Sequence, residues 1–396
     1  MTRPLWVDPD TRAFPVVGGD VTVDVAVIGG GLSGMGAAYG LAQSGARAAV
    51  VEARTVGSGA SGRNGGFVLA GPAPMYHDAV EHAGAAGARA LWEFTLANNR
   101  RITALVDEFH LDVGYMRRGS ASLAVDAAEM QIFEHAHASL NDAGLHTSLL
   151  DQHELPRPFS ERYLGGLYFA GNAEMNSGAF CRAIAATLPS TVQIFEQTRV
   201  HDLCRTDHWE VHTNRAIVHA GALILCTNAF TGAVQPSIEI VPTRGQVLST
   251  APLDRVIVPF PMYANYGYQY WRQTVDGRLV VGGWRDLDIE GELGTEERMH
   301  PEIQQTLAEF GRFVIGREPV IEHQWSGIMG FTPDHMPYVG SVPDQEKLYV
   351  AAGYSGHGVS MAFECGRSVA LNSVGKHAPL PAAFEPGREL STVTAR

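Results

Sequence analysis

The chain of 396 residues is 45% hydrophobic and 18% charged, with a formal net charge of −13. That composition excludes a disordered chain, and the length predicts two domains, because single hydrophobic cores rarely grow past about 250–300 residues. The acidic balance, without a basic tail or stripe, excludes a nucleic-acid surface, where Lys and Arg gather to displace counterions.

No apolar run is long enough to cross a bilayer, and the N-terminal MTRPLWVDPD lacks the apolar core of a signal peptide, so a cytoplasmic address without membrane insertion is expected. Cys181, Cys204, Cys226 and Cys365 show no CxxC spacing, which predicts buried free thiols and neither a zinc site nor a redox pair.

From Val23 the chain reads VDVAVIGGGLSGMGAAYGLAQSGARAAVVEAR. Val25 to Ile28 predicts a buried parallel strand, Leu32 to Gln43 a helix and Ala48 to Val51 a second buried strand. Gly29, Gly31 and Gly34 form GxGxxG at the strand-to-helix turn. The first permits the turn, the second admits a diphosphate to the backbone and the third lets helix pack on strand. The helix N-terminus offers unpaired N–H groups to the phosphates, and Glu52, closing the second strand, suits a free ribose diol, hence FAD or NAD over NADP. VGSGASGRNGG, Val56 to Gly66, reads as a ligand-binding loop with Arg63 and Asn64 delivered between glycines.

Val80 to His110 and Ala127 to Ala143 read as amphipathic helices, the first packed on a substrate domain. His135 and His137, two apart on a helix, diverge, so no metal site is expected. Thr198 to Cys204, Trp209 to Thr213, Ala216 to His219 and Ala222 to Cys226 read as successive strands. YGYQYWRQTVDGRLVVGGWRD, Tyr266 to Asp286, predicts a hairpin turning at Asp276-Gly277, with Tyr270 opposite Gly283 and Tyr268 opposite Arg285. One face then presents Tyr268, Tyr270, Arg272 and Arg285 beside a glycine gap. With Tyr263, Tyr266, Trp271 and Trp284 this makes an aromatic cage for an amine. The tail beyond Lys376 reads as a loose arm.

Two later stretches are WSGIMGFTPDHMPYVG, Trp325 to Gly340, and AAGYSGHGVSMAFECG, Ala351 to Gly366. In order and spacing, the GxGxxG with its Glu52, the GASGRNGG loop and these two stretches together resemble the D-amino-acid oxidase superfamily of FAD enzymes. The nearest branch contains glycine, sarcosine and γ-glutamylputrescine oxidases. The resemblance implies an α/β fold in which a Rossmann-type FAD-binding domain (1–85, 165–240 and 320–376) interleaves with a mixed-sheet α+β substrate domain (86–164 and 241–319), leaving 377–396 as a tail. It also implies that the GYSGHG turn lies against the flavin ring while the first motif holds the diphosphate, with the helix predicted over Val359 to Val374 aimed at the ring.

FAD contacts are thereby expected from Gly29, Gly31, Leu32, Ser33, Gly34, Glu52, Ala53, Arg54, Ser61, Arg63, Asn64, Gly65, Gly66, Val200, Gly353, Gly356, His357, Gly358 and Val359, with His357 contributing backbone. No cysteine lies between Cys226 and Cys365 where the family's covalent link would be, so FAD is expected to be noncovalent. Substrate-facing roles are expected for Tyr268, Tyr270, Arg272, Trp284, Arg285, Met329 and Tyr354.

Met329 stands where the glycine oxidase branch has a carboxylate-clamping arginine, so either the substrate lacks a neighbouring carboxylate or Arg244, Arg272 or Arg285 takes over. Neither Lys347 nor Lys376 matches the lysine with which sarcosine oxidase relatives activate oxygen. The expected reaction is oxidation of an amine C–N bond by hydride transfer to flavin N5, with imine hydrolysis and reduction of O2 to H2O2. The alternatives are an amino-acid oxidase, a dehydrogenase feeding a quinone or carrier, and a noncatalytic flavin-binding protein.

Overall fold

The computed structural model describes residues 4–6 and 12–388. The chain opens with β1 (Val21–Ile28), α1 (Leu32–Ser44), β2 (Ala48–Val51), β3 (Phe67–Val68), α2 (Tyr76–Glu108), β4 (Ser120–Leu123), α3 (Ala127–Asp142) and β5 (Ser148–Asp151). It continues with β6 (Gly165–Phe169), β7 (Ala173–Glu174), α4 (Ser177–Thr187), β8 (Val192–Phe195), β9 (Val200–Arg205), β10 (Trp209–Thr213), β11 (Ile217–Leu225) and α5 (Thr231–Val234). The remaining elements are β12 (Val241–Pro252), β13 (Met262–Ala264), β14 (Gln269–Gln273), β15 (Arg278–Gly283), α6 (Pro301–Ile315), β16 (Ile321–Phe331), β17 (Tyr338–Ser341), β18 (Leu348–Ala352) and α7 (Ala362–Ser373).

One sheet runs β17-β18-β11-β1-β2-β8, with β10 paired to β11 and β9 to β10. Its centre is parallel, which buries both faces and explains the unbroken apolar runs. Val25 and Val27 face a core shared with α1, α2, α4 and α7, whereas Ala26 and Ile28 face the opposite core with Trp209 and Val211. The glycine turn therefore leaves β1 at the carboxyl edge of the parallel strands, where α/β sheets bind ligands.

The second sheet runs β16-β12-β15-β14-β13-β4-β6-β5 and is mixed, with β13 and β4 parallel among antiparallel neighbours. Helix α6 covers it through Ile303, Leu307, Phe310 and Val314 against Trp271, Leu279 and Val281. This is the expected fold class: a Rossmann-type sheet interleaved with a mixed-sheet α+β unit.

Several details differ from the sequence reading. β6 and β16, within segments assigned to the FAD-binding unit, are strands of the second sheet, because β16 pairs along the length of β12. Helix α2, kinked at Gly84 (φ 71°), lies between the two units: its Leu91, Trp92 and Ile102 join a core shared with α7, and it also packs against α3, which covers β5 and β6 of the second sheet. The two strands expected over 216–226 are one strand, β11, in continuous parallel register with β1. Cys204 is exposed on edge strand β9, unlike the other three thiols. Residues 377–388 are docked rather than loose: Phe384 is buried against Phe94, and Arg388 pairs with Asp334 at 2.7 Å. The rest of the expected arm, 389–396, lies outside the described residues. Among the described residues, no helix is long and apolar enough to cross a membrane.

Candidate functional site

A cavity of about 1780 Å³ opens between the two sheets. That exceeds the ~300–1,000 Å³ of an ordinary ligand pocket, so it has room for a dinucleotide and a second molecule together. The turn after β1 contributes Gly29, Gly31, Leu32 and Ser33; the end of β2 contributes Glu52, Ala53 and Arg54; the glycine loop contributes Ser61, Arg63, Asn64, Gly65 and Gly66. Val200 lines it from β9, and Tyr354, Gly356, His357, Gly358 and Val359 line it from the turn before α7. Tyr268, Tyr270, Arg285 and Met329 line it from the second sheet.

Two expected contacts lie behind this wall. Gly34 is packed under the turn, where a Cβ would stand 1.8 Å from the Gly29 oxygen. Gly353 (φ 82°) donates its N–H to Asn228 Oδ1 at 3.0 Å and abuts Thr332. Gly34 thus allows a close backbone approach, and Gly353 a left-handed turn against Thr332 and Ile240, and neither lines the cavity.

The first wall has the chemistry of an anion cradle. α1 is preceded by Gly31 at its capping position, with no side-chain cap and no acidic residue in its first turn, leaving the positive end of the helix dipole uncompensated. The Leu32 N–H donates to Ser61 Oγ at 2.9 Å, which ties the helix start to the glycine loop. Glu52 Oε2 accepts from the Gly30 N–H at 2.8 Å and Oε1 from the Arg54 N–H at 2.7 Å, so the carboxylate is oriented at the strand end as a ribose acceptor would be. Burial raises its pKa above the ordinary carboxylate value, against the pull of those two amides. These residues fit the adenosine diphosphate half of FAD.

In the glycine loop the side chains are used differently from expectation. The Asn64 amide donates to the Ala60 and Ser61 carbonyls and its Oδ1 accepts from Gly66, so it shapes the loop. Arg63 donates to the Ser58 and Ser326 carbonyls and pairs with Glu297 at 3.0 Å, pinning the loop to β16. What the loop offers the cavity is therefore chiefly backbone.

The last glycine turn meets the first across 321 residues: the Tyr354 hydroxyl and Ser33 Oγ share a buried hydrogen bond of 2.7 Å. A single 3-10 turn, Gly358–Ser360, precedes α7, which starts at Ala362 and not at Val359. Asn98 of α2 explains this. Its amide donates to the Val359 carbonyl and its Oδ1 accepts from the Glu364 N–H, holding the chain in register ahead of the helix.

His357 and His335 stand half-buried at this end of the cavity. Burial is the main cause lowering both pKa values below the ordinary ~6.5, with Arg285 adding to the effect on His335. The unfolded chain then takes up these protons more readily. Their contribution to stability is complete above about pH 6.5 and is lost as pH falls through the lower folded values. A His335→Gln, His357→Gln double variant should accordingly lose less thermal stability than the parent between about pH 7 and 5.5. Parallel losses in the two melting curves would contradict this.

On the second sheet the hairpin forms, but one residue out of the expected register. Tyr270 pairs with Gly282 and Arg272 with Val280, because Gly277 (φ 87°) takes the left-handed position of a three-residue loop instead of a two-residue turn. The glycine gap is then filled by the protein itself: the Tyr270 ring lies over Gly282 and against Gly65. Phe67 joins Tyr263 (4.8 Å between centroids) and Tyr270 (5.7 Å) in a continuous aromatic wall, and Tyr266 and Tyr268 extend it. Trp271 and Trp284 are not part of that wall. They are buried on the opposite side of the sheet against Phe310, since strand alternation turns Trp271 away from Tyr270.

Three arginines were candidates for a carboxylate clamp. Arg272 is off the cavity: it is buried, donates to the Met175 carbonyl at 3.0 Å, pairs with Glu174 at 3.5 Å and stacks on Trp6. Arg244 is likewise buried, bonded to the Gly291 and Glu296 carbonyls and to Glu292. Arg285 lines the cavity, sandwiched 4.6 Å from the Tyr268 ring centroid and 4.8 Å from that of Phe331, with no ion pair among the described residues. Met329 also lines the cavity, its Sδ 3.9 Å from where a Gly356 Cβ would stand.

Residues with no local motif also line the site. Glu297 bridges Arg54 (2.6 Å) and Arg63 (3.0 Å), Asn228 anchors Gly353, and Glu129 accepts from the Tyr266 N–H at 2.8 Å. Each arrives through tertiary pairing, and nothing in the flanking sequence signals it.

Residues 24–371 match the family described as FAD dependent oxidoreductase. The chain is 28% identical over 370 residues to a probable oxidoreductase OrdL of Haemophilus influenzae, covering 88% of this chain and 82% of that protein. It is also 28% identical over 372 residues to the gamma-glutamylputrescine oxidoreductase of Escherichia coli K12, covering 90% and 85% of the two chains. The crystal structure of glycine oxidase from Geobacillus kaustophilus superimposes with a TM-score of 0.81 at 21% identity, over 94% of this chain and all of that one.

Proposed function

Because the chain belongs to the family of FAD-dependent oxidoreductases, with FAD as cofactor and amines or amino acids as the class of substrate, we propose that it oxidises an amine that also carries a carboxylate. The observation that supports this reading is Arg285, a cavity-lining guanidinium held by aromatic stacking and left without an acidic partner among the described residues. The E. coli relative's name specifies an amine joined to a γ-glutamyl group, a substrate of this kind whose carboxylate is remote from the reacting nitrogen.

The α1 N-terminus, Glu52 and the turns at 61–66 and 356–359 would hold FAD noncovalently, and when bound it would supply the two-electron acceptor for the hydride on the carbon next to the amine nitrogen, the resulting imine being hydrolysed by water. The chain's own part is positional. Arg285 anchors the carboxylate through a fork of N–H donors and so sets which carbon lies innermost. The wall of Phe67, Tyr263, Tyr268 and Tyr270, with the exposed Tyr266 at its rim, shields the site from water and accepts an amine against its π-faces. His335 and His357, neutral at pH 7, add no competing positive charge.

A second reading, a dehydrogenase delivering electrons to a quinone or carrier, is favoured by one observation: neither Lys347 nor Lys376 lines the cavity. Anaerobic mixing with amines and amino acids, with and without a remote carboxylate, tests the proposal. Visible bleaching is expected, fastest with carboxylate-bearing amines, and bleaching by none of them would refute it. Peroxide release in air then separates an oxidase from a dehydrogenase.

A further inference from the structure

We infer that His208, Glu210 and His219 form a binding site for a divalent transition metal of the zinc class, separate from the cavity, which none of the three lines. β10 alternates, with Trp209 and Val211 buried in the core, so His208 and Glu210 emerge on the opposite face. Antiparallel pairing sets His219 of β11 directly opposite Glu210. His208 Nε2 consequently stands 3.0 Å from His219 Nδ1 and 3.8 Å from Glu210 Oε1, and one ligand atom from each residue falls within 4.8 Å of the others. Ligand atoms bound at ~2.0–2.2 Å around tetrahedral zinc are about 3.3 Å apart, so these separations need only small side-chain rotations to close on one ion.

The surroundings orient the donors as metal sites do. Asp207 Oδ1 lies 2.6 Å from His208 Nδ1 and accepts its proton, which leaves the Nε2 lone pair facing His219 and Glu210. His212 Nε2 lies 3.4 Å from Glu210 Oε2, occupying the outer oxygen and turning Oε1 inward. All three ligands are half-buried, which limits their motion while leaving a path for an ion. Two imidazoles and one carboxylate suit zinc and its neighbours better than the all-oxygen preference of calcium or magnesium, and a fourth position remains for water. A bound ion would clamp β10 to β11, and with β10 the edge strand β9, which pairs with β10 and carries Val200 into the cavity wall.

Zinc binding to the chelator-treated, full-length flavoprotein, followed by equilibrium dialysis, tests this. One equivalent should bind and raise the melting temperature. Affinity should fall roughly 100-fold in His219→Gln and about tenfold in Asp207→Asn, the size expected of a lost ligand and a lost orienting partner. Unchanged flavin absorbance would show that the variants are folded. No uptake by the parent, or uptake in His208→Gln and His219→Gln as tight as in the parent, overturns the assignment.

Discussion

Gly366→Val is expected to yield a colourless protein. Where α1 and α7 cross, a Cβ on Gly366 would stand 1.8 Å from the Ser33 oxygen, and one on Gly36 would stand 1.9 Å from the Phe363 oxygen. Real Cβ atoms essentially never come under 3.0 Å, and the opposing atoms here are backbone, so the helices themselves must separate. That crossing couples the two ends of the site, since α1 follows the cavity-lining turn of Gly29 to Gly31 and α7 follows the turn of Gly356 to Val359. The 2.7 Å bond between Ser33 and Tyr354 spans them and would part with the helices. Overpacking of this kind costs about 3 kcal/mol, equivalent to roughly 100-fold in flavin affinity if it falls on the site. Visible absorbance and melting temperature of the purified variant give the result. Gly171→Ala, with nothing within 4 Å of its Cβ, provides the neutral control. A yellow Gly366→Val protein melting with the parent would show that close approach of these helices does not hold the site together.

Arg285→Ala should lower kcat/KM by about 100-fold for a carboxylate-bearing amine and by no more than about threefold for a matched amine without the carboxylate. A charge-assisted hydrogen bond contributes about 1.5–3 kcal/mol, and the first substrate alone forms it. Arg285→Lys should recover part of the loss, because an ammonium keeps the charge and lacks the planar fork and the stacking on Tyr268 and Phe331. Steady-state kinetics on the substrate pair decide it. Equal losses on both would assign Arg285 to packing or to acceptor chemistry, and the carboxylate would need another anchor. Arg244 and Arg272 are poor substitutes, each already buried against an acid.

The first wall of the cavity was legible because it is local: Gly29, Gly31, the flanking apolar runs and Glu52 lie within one strand-helix-strand unit, where spacing dictates backbone geometry. The family likeness extended that reading to the far glycine turn. The substrate half was less legible, because a β-face is read through register. One left-handed glycine at position 277 slid the hairpin by a residue and put Gly282 under Tyr270, and positive φ angles at Gly283 and Trp284 ended the ladder before Arg285. Arg272, on the expected face, was claimed by Glu174, a partner 98 positions away. Glu297, Asn98 and the trio His208, Glu210 and His219 depend likewise on which segments lie side by side. Periodicity and local spacing settle which elements form and what a glycine turn can bind. The partner that neutralises a given charge is settled by packing between distant segments, since a buried ion must be paired in space wherever its partner lies along the chain.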